Sequence, residues 1–295
     1  MKHRKLAIYV DQTRKDLFDF IKKVKEVGFD YICFQDSETW LRLNKKERLK
    51  KIEKINNVCE KIDLMILAYH SCPILLSLEE NQKENLIKQF DYIDELKNFG
   101  IYFWVLHNRS IKDEEKPWIK VKEIGKKKFD KLTSFVLKKL CQYACQYNIS
   151  VALENVPYPY TKKISDILEI IEKVDEENLG ICFDSGHSNI CNLDLKKEIL
   201  LCKDKLFTTH FHDNFGDRKK VFIDDKNISK YDLHLVPGLG TINWIEVNKA
   251  LDKIEYSYPV VFEGIKGIKD EEELLKITVK LWRTFEELKM EVKDD

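Results

Sequence analysis

SVALENVPYPYTKKISDILEIIEKVDEENLGICFDSGH, residues 150–187, contains the unit from which the rest of the chain can be read. A short apolar run, 150–153, ends in Glu154-Asn155. A segment with apolar residues at helical spacing follows at 164–174, and a second short run, 180–183, ends in Asp184-Ser185-Gly186-His187. Short β-branched or aromatic runs alternating with helix-spaced stretches are the pattern of strand and helix in turn. Working outward, the same alternation occurs eight times. It predicts strands at 5–10, 29–35, 64–69, 101–106, 150–153, 180–183, 207–211 and 260–263. Helices are expected at 16–27, 45–61, 85–98, 126–147, 164–174, 195–203, 244–254 and 271–291. Several strand runs are almost wholly apolar, as strands buried on both faces are. Eight unbroken alternations favour a closed barrel over an open doubly wound sheet. The expected fold is therefore α/β, a single (β/α)8 domain over residues 1–295. Gly28 and Gly100 each stand between a helical run and a strand, where a helix stop is expected.

Composition is consistent with this. The length suits one α/β barrel, and 43% hydrophobic residues supply a large core. Lys plus Arg and Asp plus Glu are both 51, so no global basic field draws the chain to nucleic acid. Lysine clusters at 126–128 and 162–163 open amphipathic stretches and read as solvated faces. None of the eight cysteines forms a CxxC pair, which argues against a zinc ribbon or thioredoxin-type site. The first residues have too short an apolar run for a signal peptide, and no stretch approaches a membrane span. A cytoplasmic protein with reduced, mostly buried thiols is expected.

The chemistry gathers where the strands end. His70 follows the third strand and His107 the fourth; Glu154 ends the fifth. Asp184 and His187 follow the sixth, His210 and His212 lie at the end of the seventh, and Glu263 ends the eighth. Long segments at 108–124 and 213–242 follow the fourth and seventh strands, and the second adds Asp232 and His234. Six of the seven histidines thus fall at one mouth, at the C-terminal face where barrel enzymes place their sites. Mixed imidazole and carboxylate ligands suit zinc, manganese, cobalt or iron. A lone histidine at a strand end is commonly a hydrogen-bonded structural residue. Glu154 and Glu263 follow apolar runs, however, and a carboxylate held there needs a compensating partner. His210 and His212, two apart on a strand, share a face. His210 is read as the ligand, and His212 as a donor to a ligand, a substrate contact or a polar residue at the strand end. Arg218, in a charged loop, is a candidate substrate or phosphate contact and equally a solvated residue.

Four segments, Leu153-Glu154-Asn155, Phe183-Asp184-Ser185-Gly186-His187, His210-Phe211-His212-Asp213-Asn214 and Asp232-Leu233-His234-Leu235-Val236-Pro237-Gly238-Leu239-Gly240, carry a resemblance over nearly the whole chain. The sequence resembles the xylose isomerase-like TIM barrel superfamily, which joins sugar-phosphate isomerases and epimerases with endonuclease IV. Resemblance to its epimerases implies a four-ligand metal site at Glu154, Asp184, His210 and Glu263, with His187 binding substrate. Resemblance to endonuclease IV implies up to three metals, the additional ligands being His70, His107, His187, Asp232 and His234.

The expected function is a metal-dependent isomerase or epimerase of a sugar, sugar phosphate or keto-polyol, working through a cis-enediolate. Glu154 and Glu263 would move protons on opposite faces of the substrate, and His187, His212 and Arg218 are the candidate substrate contacts. The rival is a phosphodiester hydrolase of the endonuclease IV type, for which nucleic acid would be the partner. A dehydratase, a metal-dependent oxidase and a binding or storage protein are further alternatives. One to three divalent ions per chain, no membrane partner and a homo-oligomer are compatible with the sequence.

Overall fold

The computed structural model describes residues 3–71, 75–76, 82–107, 110–111, 117–216 and 228–289. Eight parallel strands make one sheet: β1 Leu6–Tyr9, β2 Tyr31–Gln35, β3 Met65–Ser71, β4 Phe103–His107, β5 Ser150–Glu154, β6 Leu179–Asp184, β7 Leu206–His210 and β8 Val260–Phe262. Their order is β8-β1-β2-β3-β4-β5-β6-β7, so each strand pairs with its neighbours in sequence. The seam between β7 and β8 is closed at its upper end, where Phe211 bridges Phe262 and the Phe211 N–H donates to Val261 O at 2.8 Å. Below it the Thr209 hydroxyl accepts from the Val261 N–H at 2.9 Å, a side-chain oxygen doing the work of a strand carbonyl.

A helix separates each strand from the next, and another follows the last. These are α1 Leu17–Val27, α2 Lys45–Lys61, α3 Gln82–Leu96, α4 Lys126–Cys145, α5 Ile164–Val174, α6 Leu195–Cys202, α7 Trp244–Lys253 and α8 Glu271–Leu288. α2 starts with a reciprocal cap, the Asn44 side chain accepting from Glu47 N–H and the Glu47 carboxylate from Asn44 N–H. Gly28 and Gly100 have φ of 112° and 69°, the left-handed conformation that a helix stop requires. Short helices at Glu38–Arg42, Pro117–Ile124 and Ser185–Ile190 lie outside the expected pattern. Five to eight residues are too few for a helical period to show.

Two apolar layers hold the barrel. Between strands and helices, Ile8, Phe34, Leu106, Leu153, Phe183 and Phe262 pack on Ile21, Val24, Leu137, Ile170 and Leu251. Inside the ring are mostly small residues, Ala7, Cys33, Ala68, Val105, Ala152, Cys182 and Val261. The N-terminal end is filled by Tyr31, Phe103 and Phe207, and Gly180 makes room for the Phe207 ring, which a Cβ there would approach to 2.4 Å. Because side chains alternate along a strand, the inward step after Val105 is His107, after Ala152 is Glu154, after Cys182 is Asp184 and after Val261 is Glu263. The polar groups are therefore the topmost layer of the barrel interior.

Beyond β7 the chain is folded around one buried carboxylate. Asp213 Oδ1 accepts from the N–H groups of Asn214 at 2.9 Å and Ile242 at 3.2 Å. Its Oδ2 accepts from Gly238 N–H at 2.9 Å and Trp244 Nε1–H at 2.8 Å. A Cβ on Gly240 would stand 2.2 Å from Asp213 Oδ1, which accounts for the glycine. Backbone bonds between Asp213 and Leu235, at 2.7 and 2.8 Å, then set the segment that carries His234. Asp213→Ala would leave four donors without their acceptor, and a loss of about 3 kcal/mol of stability is expected. Urea denaturation checks this; an unchanged midpoint would show that the carboxylate does not organise the segment.

Candidate metal centre

Glu154, Asp184 and His210 are the last residues of β5, β6 and β7, and Glu263 is the first after β8; all four side chains are buried. One ligand atom from each lies within 4.8 Å of the others. His210 is the hub. Its Nδ1 is 3.0 Å from Glu154 Oε2 and 3.3 Å from Glu263 Oε2, while its Nε2 meets the Tyr9 hydroxyl at 2.9 Å. Two further groups flank this one. On the β3–β4 side, His107 Nε2 is 3.1 Å and His70 Nε2 3.5 Å from Glu154 Oε2, and His70 Nδ1 is 3.2 Å from Glu263 Oε1. On the other side, Asp232 Oδ2 is 3.2 Å from His234 Nε2 and 3.4 Å from His187 Nε2. The structure thus gathers nine of the predicted site residues into a continuous cluster, with Glu154 shared by two groups. Arg218 lies outside the described residues.

The electrostatics follow from packing acids and imidazoles together out of water. Burial alone would raise Glu154, but His107, His210 and His70 outweigh it and hold the carboxyl well below the usual range. Glu263, buried likewise, is held low by His210 and His70. Burial opposes a charge on His234, yet Asp232 lifts it to about 9. Burial pushes the Cys182 thiol beneath His210 up to about 12. The donor set fits divalent cations: Glu154 Oε1, His210 Nδ1 and Asp232 Oδ1 are buried polar atoms that make no hydrogen bond. Several imidazoles also have one nitrogen secured by a protein group and the other turned toward the cluster. His187 Nδ1 donates to Asn155 O at 2.9 Å, and His234 Nδ1 to Glu263 O at 3.1 Å.

Residues 21–285 match the family model described as a xylose isomerase-like TIM barrel. The chain belongs to that family. Among solved structures sharing the fold, a D-psicose 3-epimerase from Clostridium cellulolyticum is 16% identical with a TM-score of 0.73, covering 96% of this chain and 99% of that one. A D-tagatose 3-epimerase-like protein is 22% identical with a TM-score of 0.73, covering 96% and 98%. An uncharacterised protein of Methanocaldococcus jannaschii is 32% identical over 139 residues, 45% of this chain and 43% of that protein. One of Sinorhizobium fredii is 27% identical over 135 residues, 46% and 37% of the two lengths. These matches span less than half of either curated relative.

In this xylose isomerase-like barrel the cluster floors a cavity of about 370 Å³ lined by His70, His107, Glu154, His187, Asp232, His234 and Glu263, with Val156, Pro157 and Tyr158 as an apolar wall. His212 is absent from the lining and is fully buried beneath it. Two contributors were assigned no role from the sequence. Tyr9 is the inward residue at the end of β1, legible only as part of an apolar strand. Asn155 stitches β5 to β6, donating to Asp184 O at 3.0 Å and accepting from Asp184 N–H at 2.7 Å. Gly186 is needed because a Cβ would lie 1.9 Å from His212 Cε1. Gly186→Ala is expected to cost about 1–3 kcal/mol through this overpacking; thermal or urea unfolding measures it, and wild-type stability would mean that the imidazole moves freely aside.

Proposed function

We propose that this protein is a metal-dependent isomerase or epimerase of a sugar, sugar phosphate or keto-polyol. The reading is carried by the two buried carboxylates, Glu154 and Glu263, that meet at His210 on the floor of a cavity of small-molecule size. Glu154, Asp184, His210 and Glu263 would hold the cation, which when bound supplies Lewis acidity toward adjacent carbonyl and hydroxyl oxygens. Both carboxylates are held ionised, so either can take a proton from a substrate carbon and the other can return one to the opposite face. His187 turns its Nε2 toward the cavity, where it can bind a substrate oxygen. Val156, Pro157 and Tyr158 exclude water from one side. The sugar epimerases named among the fold relatives support the same class.

Metal-loaded protein incubated with a panel of ketoses and their phosphates in deuterium oxide should place deuterium on carbon. Glu154→Gln or Glu263→Gln should slow that exchange by about 10²–10⁴-fold. No exchange on any panel member would count against the proposal.

A phosphodiester hydrolase is favoured by one specific observation, the ligand groups on either side of the central four: His70 and His107 with Glu154, and His187 and His234 with Asp232. In that reading Glu154 is a shared ligand and need move no proton. Mass-spectrometric metal analysis separates the two, one ion per chain favouring the isomerase and three the hydrolase. Chelator-sensitive cleavage of an abasic-site duplex, lost in Glu263→Gln, would establish the second.

A further inference from the structure

We infer that His212 is a positioning residue that joins the central ligand group to the outer one, holding Asp184 with one ring nitrogen and carrying His234 on its face. The inference rests on the proposed role of Asp184 as a ligand of the central cation and, for the outer group, on the multi-ion reading in which Asp232 and His234 are ligands.

His212 Nε2 lies 3.1 Å from Asp184 Oδ2 in hydrogen-bond geometry, while its buried Nδ1 makes no hydrogen bond. A carboxylate only accepts, so Nε2 carries a proton and is the donor. The other Asp184 oxygen is already engaged, Oδ1 accepting from the His187 N–H at 2.6 Å as the cap of the short helix Ser185–Ile190. The bond from His212 therefore fixes the direction of the one Asp184 oxygen left to the cluster.

The His212 and His234 rings are stacked, with centroids 3.9 Å apart and planes 11° from parallel. Ligand atoms of His212, Asp232 and His234 approach one another closely enough to suggest a shared ion. Ring geometry argues otherwise. An imidazole-bound cation lies in the ring plane about 2.0–2.1 Å from nitrogen, and two nearly parallel planes a stacking distance apart offer no such point to both. His234 can then ligate with Asp232 and His187, and His212 is the platform beneath it. His234 sits in a loop at φ 50°, so its ring orientation depends on this stack and on the Nδ1 bond to Glu263 O. His212 is itself clamped: Ser185 Oγ accepts its N–H at 3.1 Å and donates to its carbonyl at 2.8 Å, and Gly186 leaves room for the ring.

Two substitutions separate the two roles. His212→Phe keeps a ring under His234 and removes the donor to Asp184; His212→Asn keeps a donor and removes the platform. With cobalt(II) as the probe, each should bind as many ions as wild type with affinity lowered by about 10–100-fold. Loss of a whole equivalent in either variant would make His212 a ligand, and wild-type affinity in both would make it a bystander; either overturns the inference. Wild type binding no cobalt(II) would sink the functional proposal instead. In that case, and if the variants fail to fold, nitrogen NMR of metal-free wild type labelled at histidine decides the hydrogen bond. A proton on His212 Nε2 is expected, and an unprotonated Nε2 refutes the arrangement.

Discussion

Glu154 is 1% exposed, and nitrogens of His70, His107, His187 and His210 lie 3.0–3.5 Å from its two oxygens. A carboxylate taken this far out of water is costly unless opposite charge and hydrogen-bond donors surround it. Three of the eight strands, β3, β4 and β7, and the helix after β6 contribute to that surrounding shell. The apolar interior below it, from Ala7 to Val261, gives Glu154 nowhere else to go. The chemistry of the mouth is thus a consequence of placing an acid at the last inward position of β5.

The same economy governs the loops. Asp213 does not enter the cluster, yet its four N–H partners tie the end of β7 to residues 238–244, beside the segment that carries His234. Asn155 and Ser185 do comparable work between β5, β6 and β7. Their polar atoms are spent on backbone, so they set geometry and leave reaction to the imidazoles and carboxylates.

The strand and helix pattern was legible because it is local. A strand buried on both faces needs only a short apolar run, and an amphipathic helix only its spacing; eight repeats of the two then leave few topologies. The boundaries of α5 coincide with the apolar spacing over 164–174, because its hydrophobic face is continuous. Where the local signal was weak, the reading was weaker too. Ser185–Ile190 is a six-residue helix of Ser, Gly, His, Asn and one Ile, and it forms because Asp184 caps it and the Asn214 side-chain amide holds the turn from behind, donating to Gly186 O at 3.0 Å.

By itself the sequence determined that carboxylates and imidazoles would stand at the C-terminal ends of the strands, since the two-residue period of a strand carries the inward face from Ala152 to Glu154 and from Val261 to Glu263. It could not divide them. Whether a histidine ligates, binds substrate or supports another residue depends on which ring nitrogen is occupied and on the angle between rings, and both are set by partners distant in the chain: Tyr9 for His210, Asn155 for His187, Asp184 and His234 for His212. Those relations exist only once cross-strand register and the loop around Asp213 bring the partners together, so the tertiary structure alone decides them.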